Sequence, residues 1–452
     1  MSDTGASQSI TPELVTSFQR SFEADPKNRL ALNAVTRNSI NTVVLNHTVV
    51  TQTTHTFSHL LKSNDITSQA ASGRCWLFAG LNLFRVEAMK HLNVEKFELS
   101  QNYQMFWDKL EKANYFLESI LKTLDEPVDG RLIMFLLQNP IQDGGQWDMF
   151  LNLVEKYGVL PKAFMPETES SSNTRWMVGL VTVKLREDAA ELRRMHAAGA
   201  STQALGARKV EMMSDIYRML VIHLGEPPTE FAWQWRDKDD QFHRDGLITP
   251  QEFFRRYVHY DLESVVCLIN CPTSDKPFNT LYTVDYLGNC VGSHIIRYIN
   301  VDNATFKQAA KEQVVAGTPV WFGCDYGRGI ERDLGILDTE VFDYALAYST
   351  GFNADKAERV EYGQSQMTHA MVFTGVNLDA DGKPTQWRVE NSHGDKVGDK
   401  GFLVMADRWF DEYMYEVVVE KRFVAPELLA LLDTEPVHLH PWDPMGSLAV
   451  SA

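Results

Sequence analysis

The spacing of apolar residues changes character twice along the chain. Residues 12–24 have the spacing of a helix, whereas 30–55, rich in Thr, Val and Asn, read as extended or irregular. From Cys75 the stretch CWLFAGLNLFRVEAMKHL is apolar on most faces of its first turns, the pattern of a central, buried helix. Helical text continues over 100–136 and 145–157. Residues 175–225 are amphipathic, and Met213, Ile216, Tyr217, Leu220 and Leu224 fall at helical spacing, which reads as core. Pro227 and Pro228 close that segment. After about residue 260 the text shortens to SVVCLIN, PVWFGCD, AMVFTGV, QWRVEN, GFLVMA and YEVVVEK, runs of Val, Phe, Tyr and Trp that predict strands. Helices first and strands last predict an α+β chain rather than an alternating α/β one. No internal repeat is visible.

Composition narrows the function classes. A chain of 452 residues with 44% hydrophobic and 23% charged residues has ordinary globular composition. The net charge of −17 argues against nucleic acid as a partner, since binding needs a basic face to displace counterions. The basic clusters ELRR (191–194) and EFFRR (252–256) read as solvated helix faces. No run of 18 apolar residues predicts a membrane span. The N-terminal MSDTGASQSITPEL lacks the basic region and apolar core of a signal peptide. Five cysteines, an odd and sparse number, fit a reducing compartment, so a cytoplasmic location is expected. Cys267 and Cys271 in CLINC have no second pair beside them and read as strand-core cysteines, so neither a metal nor a cofactor is expected. His438 and His440 read as surface or packing residues.

The strongest chemical signal is SQAASGRCWLFAGLN, residues 68–82. Cys75 stands where a Gly-containing loop meets the buried helix. Amides at a helix N-terminus favour an anion, so the thiol there is expected to have a depressed pKa. Gln69, six residues earlier, can point its amide back at the same loop and donate to an oxyanion beside the Cys75 N–H. The competing reading is that Cys75 is a small buried hydrophobe. A thiolate nucleophile needs a base and the base needs an orienting partner. His369 in QMTHAMVFTGV opens a predicted strand and Asn391 in WRVENSHG closes another, so antiparallel neighbours would bring them together. Taken singly, His369 reads as a structural histidine and Asn391 as a turn residue.

The ordered set Gln69, Cys75, His369, Asn391, with C-W-x-F-A, T-H-A and E-N-S-x-G around it, resembles the papain-like cysteine peptidases. DGGQWDMFLNLVEKYGVLPKAFMPE (143–167) is similar to that family's Gly-Gly segment, which implies that Gly144 and Gly145 offer backbone to the substrate. A resemblance over nearly the whole chain is to the bleomycin hydrolase and aminopeptidase C group. It rests on SGRCWLFAGLN, the gap of 294 positions between Cys75 and His369, GTPVWFGCD and PWDPMGSLA.

That resemblance implies a two-lobed papain-like fold. An N-terminal extension (1–65) would pack on the core and make oligomer contacts. A helical lobe (66–170) would carry Cys75, a helical insertion would span 171–260, and a β-rich lobe (261–435) would carry His369 and Asn391. A C-terminal tail (436–452) would lie in the cleft. It further implies a homohexamer acting on peptides with a free N-terminus, and a tail carboxylate, here on Ala452, facing the substrate's amino group. An endopeptidase or acyltransferase with the same site, or a non-catalytic ring-shaped binding protein, are the alternatives. Two features depart from the family: His393 stands where a tryptophan is usual, and Val450, Ser451 and Ala452 extend the usual end and are expected to be self-trimmed.

Overall fold

A computed structural model of the chain describes residues 9–62 and 64–448. It is an α+β structure in which a twelve-stranded sheet runs between two apolar cores. At its centre lie Val265–Ile269, Met414–Glu420, Val320–Cys324, His369–Leu378 and Pro384–Glu390, neighbours in that order and mutually antiparallel. Runs such as VVCLI and VWFGC are buried at every position because both faces of the sheet are covered. One face meets the helix Cys75–Leu92 and its helical neighbours; the other meets the helix Asn303–Val315. No helix among the described residues is long and apolar enough to cross a membrane.

Cys75–Leu92 is central, with its first eleven residues all buried. Gln101–Lys122, Trp147–Tyr157, Arg175–Ala197 and Thr202–Leu224 surround it or extend its core. The stripe on Thr202–Leu224 is rotated slightly from the one read in the sequence. Leu205, Met212, Ile216, Leu220 and Leu224 are buried, whereas Met213 is half-buried and Tyr217 is exposed at the edge, its ring against Phe106.

Three expectations are corrected. Residues 30–55 are mainly helical, in Pro26–Val35, Ile40–Val43 and His47–Gln52. Local caps outweigh the strand preference of Thr and Val there: Asp25 accepts from the Lys27 N–H, and Asn46 from those of Thr48 and Val49. The helical text of 100–136 breaks at Thr123 and resumes at Arg131, across a turn holding Pro127 and Gly130. The segment 171–260 is not helical throughout: its long helices end at Leu224, and only a short helical stretch, 250–258, closes it. Between them runs a hairpin, Phe231–Arg236 with Phe242–Ile248, whose Trp233 and Trp235 rings stack on one another.

Candidate active site

The loop before the central helix is held by a buried carboxylate. Asp143 accepts the Gly73 N–H at 3.0 Å and the Thr174 hydroxyl at 2.5 Å, and pairs with Lys109 at 2.8 Å. Burial opposes its charge, yet Lys109 and these donors hold the carboxyl well below the usual range. Arg74 continues the brace through Glu167 at 2.8 Å. Cys75 then opens the helix, and Trp76 Nε1 donates to the Asp143 carbonyl at 2.8 Å.

The two glycines have distinct surroundings. A Cβ on Gly145 would sit 2.6 Å from the Trp76 indole, so glycine is what lets that ring lie beside the thiol's helix. Gly145 also lines the cleft holding Cys75. The Gly144 carbonyl accepts from Lys112 Nζ at 2.6 Å.

His369 and Asn391 meet because their strands are antiparallel neighbours. Val372 stands opposite Glu390, so Asn391 falls diagonal to His369. His369 Nε2 lies 2.8 Å from Asn391 Oδ1, which also accepts the Ser392 N–H at 2.8 Å. An oxygen cannot donate, so Nε2 carries the proton and Nδ1 is left as the acceptor. The next residue, Ala370, donates its N–H to Cys75 Sγ at 3.4 Å. Cys75, His369 and Ala370 line one narrow cleft with Gln146, Ser447 and Leu448.

The expected depression of the thiol pKa is not what these surroundings give. Burial pushes the Cys75 thiol up to about 11, against the N–H groups of Ala370, Trp76 and Cys75 itself. Burial likewise pushes His369 down to about 3, although the bond to Asn391 works the other way. Each group alone is neutral here, so charge separation depends on the two acting as a pair.

Gln69 bridges the loop to the residue after Asn391. Its Nε2 donates to the Ser72 carbonyl, its Oε1 accepts from Ser392 Oγ at 2.6 Å, and its N–H donates to the Ser392 carbonyl at 2.8 Å. One amide proton of Nε2 remains for a further acceptor. Gln146 Nε2 holds the Ser447 carbonyl at 2.9 Å, which places Ser447 and Leu448 in the cleft with the thiol. Ala452 and the rest of 450–452 lie outside the described residues. Cys267 is buried within Val265–Ile269 and Cys271 just past it; His438 is exposed on a short strand and His440 stacks on Trp442.

The sequence reading missed two features. Tyr326 packs against both His369 and Asn391; nothing in its local text marks it, and only the pairing of Cys324 with His369 carries it there. The second is a strut: Arg85 of the central helix pairs with Glu390, next to Asn391, at 2.7 Å with both side chains buried. Arg85→Met would strand a buried carboxylate, so urea unfolding should show a loss of about 3–5 kcal/mol; a loss under 1 kcal/mol would show that the strut carries little.

Comparison with known proteins gives a consistent picture. A model of the Peptidase C1-like family matches residues 9–446. Aminopeptidase C of Streptococcus thermophilus is 46% identical over 441 residues, covering 98% of this chain and 99% of that one. Bleomycin hydrolase of Homo sapiens is 43% identical over 453 residues, covering 98% and 100%. The crystal structure of PepW from Lactobacillus rhamnosis HN001 superposes with a TM-score of 0.96 at 47% identity, covering 98% of this chain and 99% of that one.

Proposed function

Because this chain belongs to the Peptidase C1-like family, we propose that Cys75 is the nucleophile and His369 the base of a reaction that removes residues from the N-terminus of peptides. The protein is a papain-like cysteine aminopeptidase, as its relatives over nearly the whole length are. The observation that carries the residue roles is the shared cleft: the thiol and the Asn391-bound imidazole line it together, with Ser447 and Leu448 on its wall.

In this reading His369 Nδ1 takes the thiol proton as Cys75 Sγ attacks the carbonyl carbon of the first peptide bond. The free Nε2 proton of Gln69 and the Cys75 N–H receive the oxyanion. The imidazolium then gives its proton to the departing amine, and a thioester remains. Water attacks that thioester while His369 accepts its proton, and the thiol is regenerated. Proton transfer of this kind contributes about 10²–10⁴-fold. Asn391 holds the imidazole in the tautomer these steps need.

In this reading the restriction to free N-termini comes from the stretch 441–448. Gln146 holds it through the Ser447 carbonyl in the cleft that Cys75 and His369 line, where it would obstruct a substrate extended past its first residue. Its own end, with Ala452, would face the substrate's ammonium. The test compares free and N-acetylated aminoacyl fluorogenic amides. Wild type should cleave the free amide at least about 100-fold better, a difference of about 2.7 kcal/mol in transition-state binding. A chain ending at Gly446 should lose most of that preference. Equal rates on both amides by wild type would favour the endopeptidase reading, and no cleavage of either the non-catalytic one.

A homohexamer fits two unpartnered apolar faces. The helix Pro12–Ala24, within the 1–65 extension, has no buried residue and exposes Leu14, Val15, Phe18 and Phe22. The helix Arg175–Ala197, within the 171–260 insertion, exposes Trp176, Leu180 and Val183 along one side. Patches of this kind mark association surfaces. All five cysteines are free and buried, in keeping with a cytoplasmic location.

A further inference from the structure

Asn391 has a partner at each end of its amide. The Ser392 N–H, 2.8 Å from Oδ1, decides which end is oxygen. At the other end Nδ2 donates to the Tyr326 hydroxyl at 3.1 Å. Tyr326 arrives from just beyond the strand Val320–Cys324, whose last residue stands opposite His369. Its ring centroid is 4.6 Å from that of His369, tilted 34°. His393 sits edge-on to both, 5.2 Å from the His369 ring and 5.7 Å from the Tyr326 ring. His393 is itself exposed, whereas Tyr326 is only 8% exposed, so the phenol is the inner cover.

We propose that Tyr326 is a positioning residue for the reaction: its hydroxyl holds the amide of Asn391 in the plane that His369 needs, and its ring keeps water from the bond between them. Asn391 cannot do this alone. A side-chain amide rotates about a soft terminal torsion, and a rotated or flipped amide would offer Nδ2 to His369 Nε2. The imidazole would then carry its proton on Nδ1 and could not accept one from the thiol. Water let into this site would compete for both ends of the same bond. The phenol fits the role because it stays neutral: burial pushes its pKa up to about 12, against the nearby Arg332. The charged or titratable groups facing the cluster are Arg332, whose guanidinium lies 5.9 Å over the Tyr326 ring, with His393, Cys75 and Cys324.

This inference rests on the roles given above to His369 and Asn391, and the test separates the two. Tyr326→Phe removes the hydroxyl and keeps the ring; Tyr326→Leu removes both. On a free aminoacyl amide, Tyr326→Phe should lower kcat about 2- to 10-fold, the worth of one hydrogen bond, with KM unchanged. Tyr326→Leu should lower it further. The bond to Asn391 raises the imidazole pKa, so weakening it should move the limb of the pH–rate profile set by imidazolium deprotonation to lower pH. Because the tyrosine acts through the amide, Tyr326→Phe should cost nothing more in an Asn391→Ala background. Unchanged kcat and pH profile in both tyrosine variants, beside a loss in Asn391→Ala, overturns the role of Tyr326 alone. Independent, multiplying losses in the double variant overturn it too. An Asn391→Ala enzyme with full kcat sinks the reading of the site as well.

Discussion

Cys75→Ala should lower kcat/KM on a free aminoacyl amide by on the order of 10⁴-fold or more, since covalent machinery that acts as a unit fails when one member goes. The fold should survive. Cys75 is 1% exposed, and losing one sulfur from the first turn of an otherwise packed helix opens only a small cavity. Circular dichroism and the urea midpoint should therefore stay near wild type while turnover vanishes. The comparison also separates two thiols. Cys324 is buried in the strand position opposite His369, so it is the nearest alternative by register. Cys324→Ala should retain turnover. If Cys75→Ala keeps more than about one-hundredth of the activity, a residual above the enzyme-wide norm for a lost nucleophile, the assignment of the sulfur is wrong.

His369→Ala should match that loss to within an order of magnitude, because nucleophile and base act together. Its larger value is what it does to the thiol. With the imidazole gone, Cys75 keeps its burial, which pushes its pKa up to about 11 against the three N–H groups. A raised thiol pKa means that the protonated, unreactive form dominates at neutral pH and the thiolate grows in as pH rises. Alkylation of Cys75 by iodoacetamide, followed by intact mass, should thus be slow at pH 7 in His369→Ala and climb tenfold per unit toward pH 10. Wild type, where the imidazole can hold the proton, should react far faster at pH 7 with a flatter profile. Identical profiles would mean that His369 does not touch the ionisation of the thiol.

Much of the candidate site could be read from the chain because the residues proposed for it sit at boundaries that leave local marks. Cys75 follows a Gly-containing loop and precedes an all-round apolar helix, and His369 and Asn391 stand at the two ends of strand text. The α+β order was equally visible in the change from helical to strand spacing. What was hidden depends on register. Tyr326 reaches Asn391 across 65 positions and Arg85 reaches Glu390 across 305, and no local period encodes either. The helices within 30–55 were misread for another reason: their stability comes from caps at Asp25 and Asn46, while the residues inside them favour strands. The hairpin at 231–248 does carry alternation, with Phe231 and Trp233 buried and Ala232 and Gln234 exposed, but it follows directly on long helical text. The pKa direction of Cys75 was hidden too, since a helix terminus can be read from sequence and depth of burial cannot.

The placement of His369 has a dynamic consequence. It begins a ten-residue strand that is paired along both sides, and its ring is enclosed by Asn391, Tyr326 and His393. An imidazole so enclosed has no room to follow an incoming ligand. Another wall of the cleft is built differently: residues 441–448 hold turns and the single 3-10 turn Pro444–Gly446 but no strand. With His369 as the proposed base, differences in the size of a leading side chain would fall to that strandless side, against an imidazole that keeps its place.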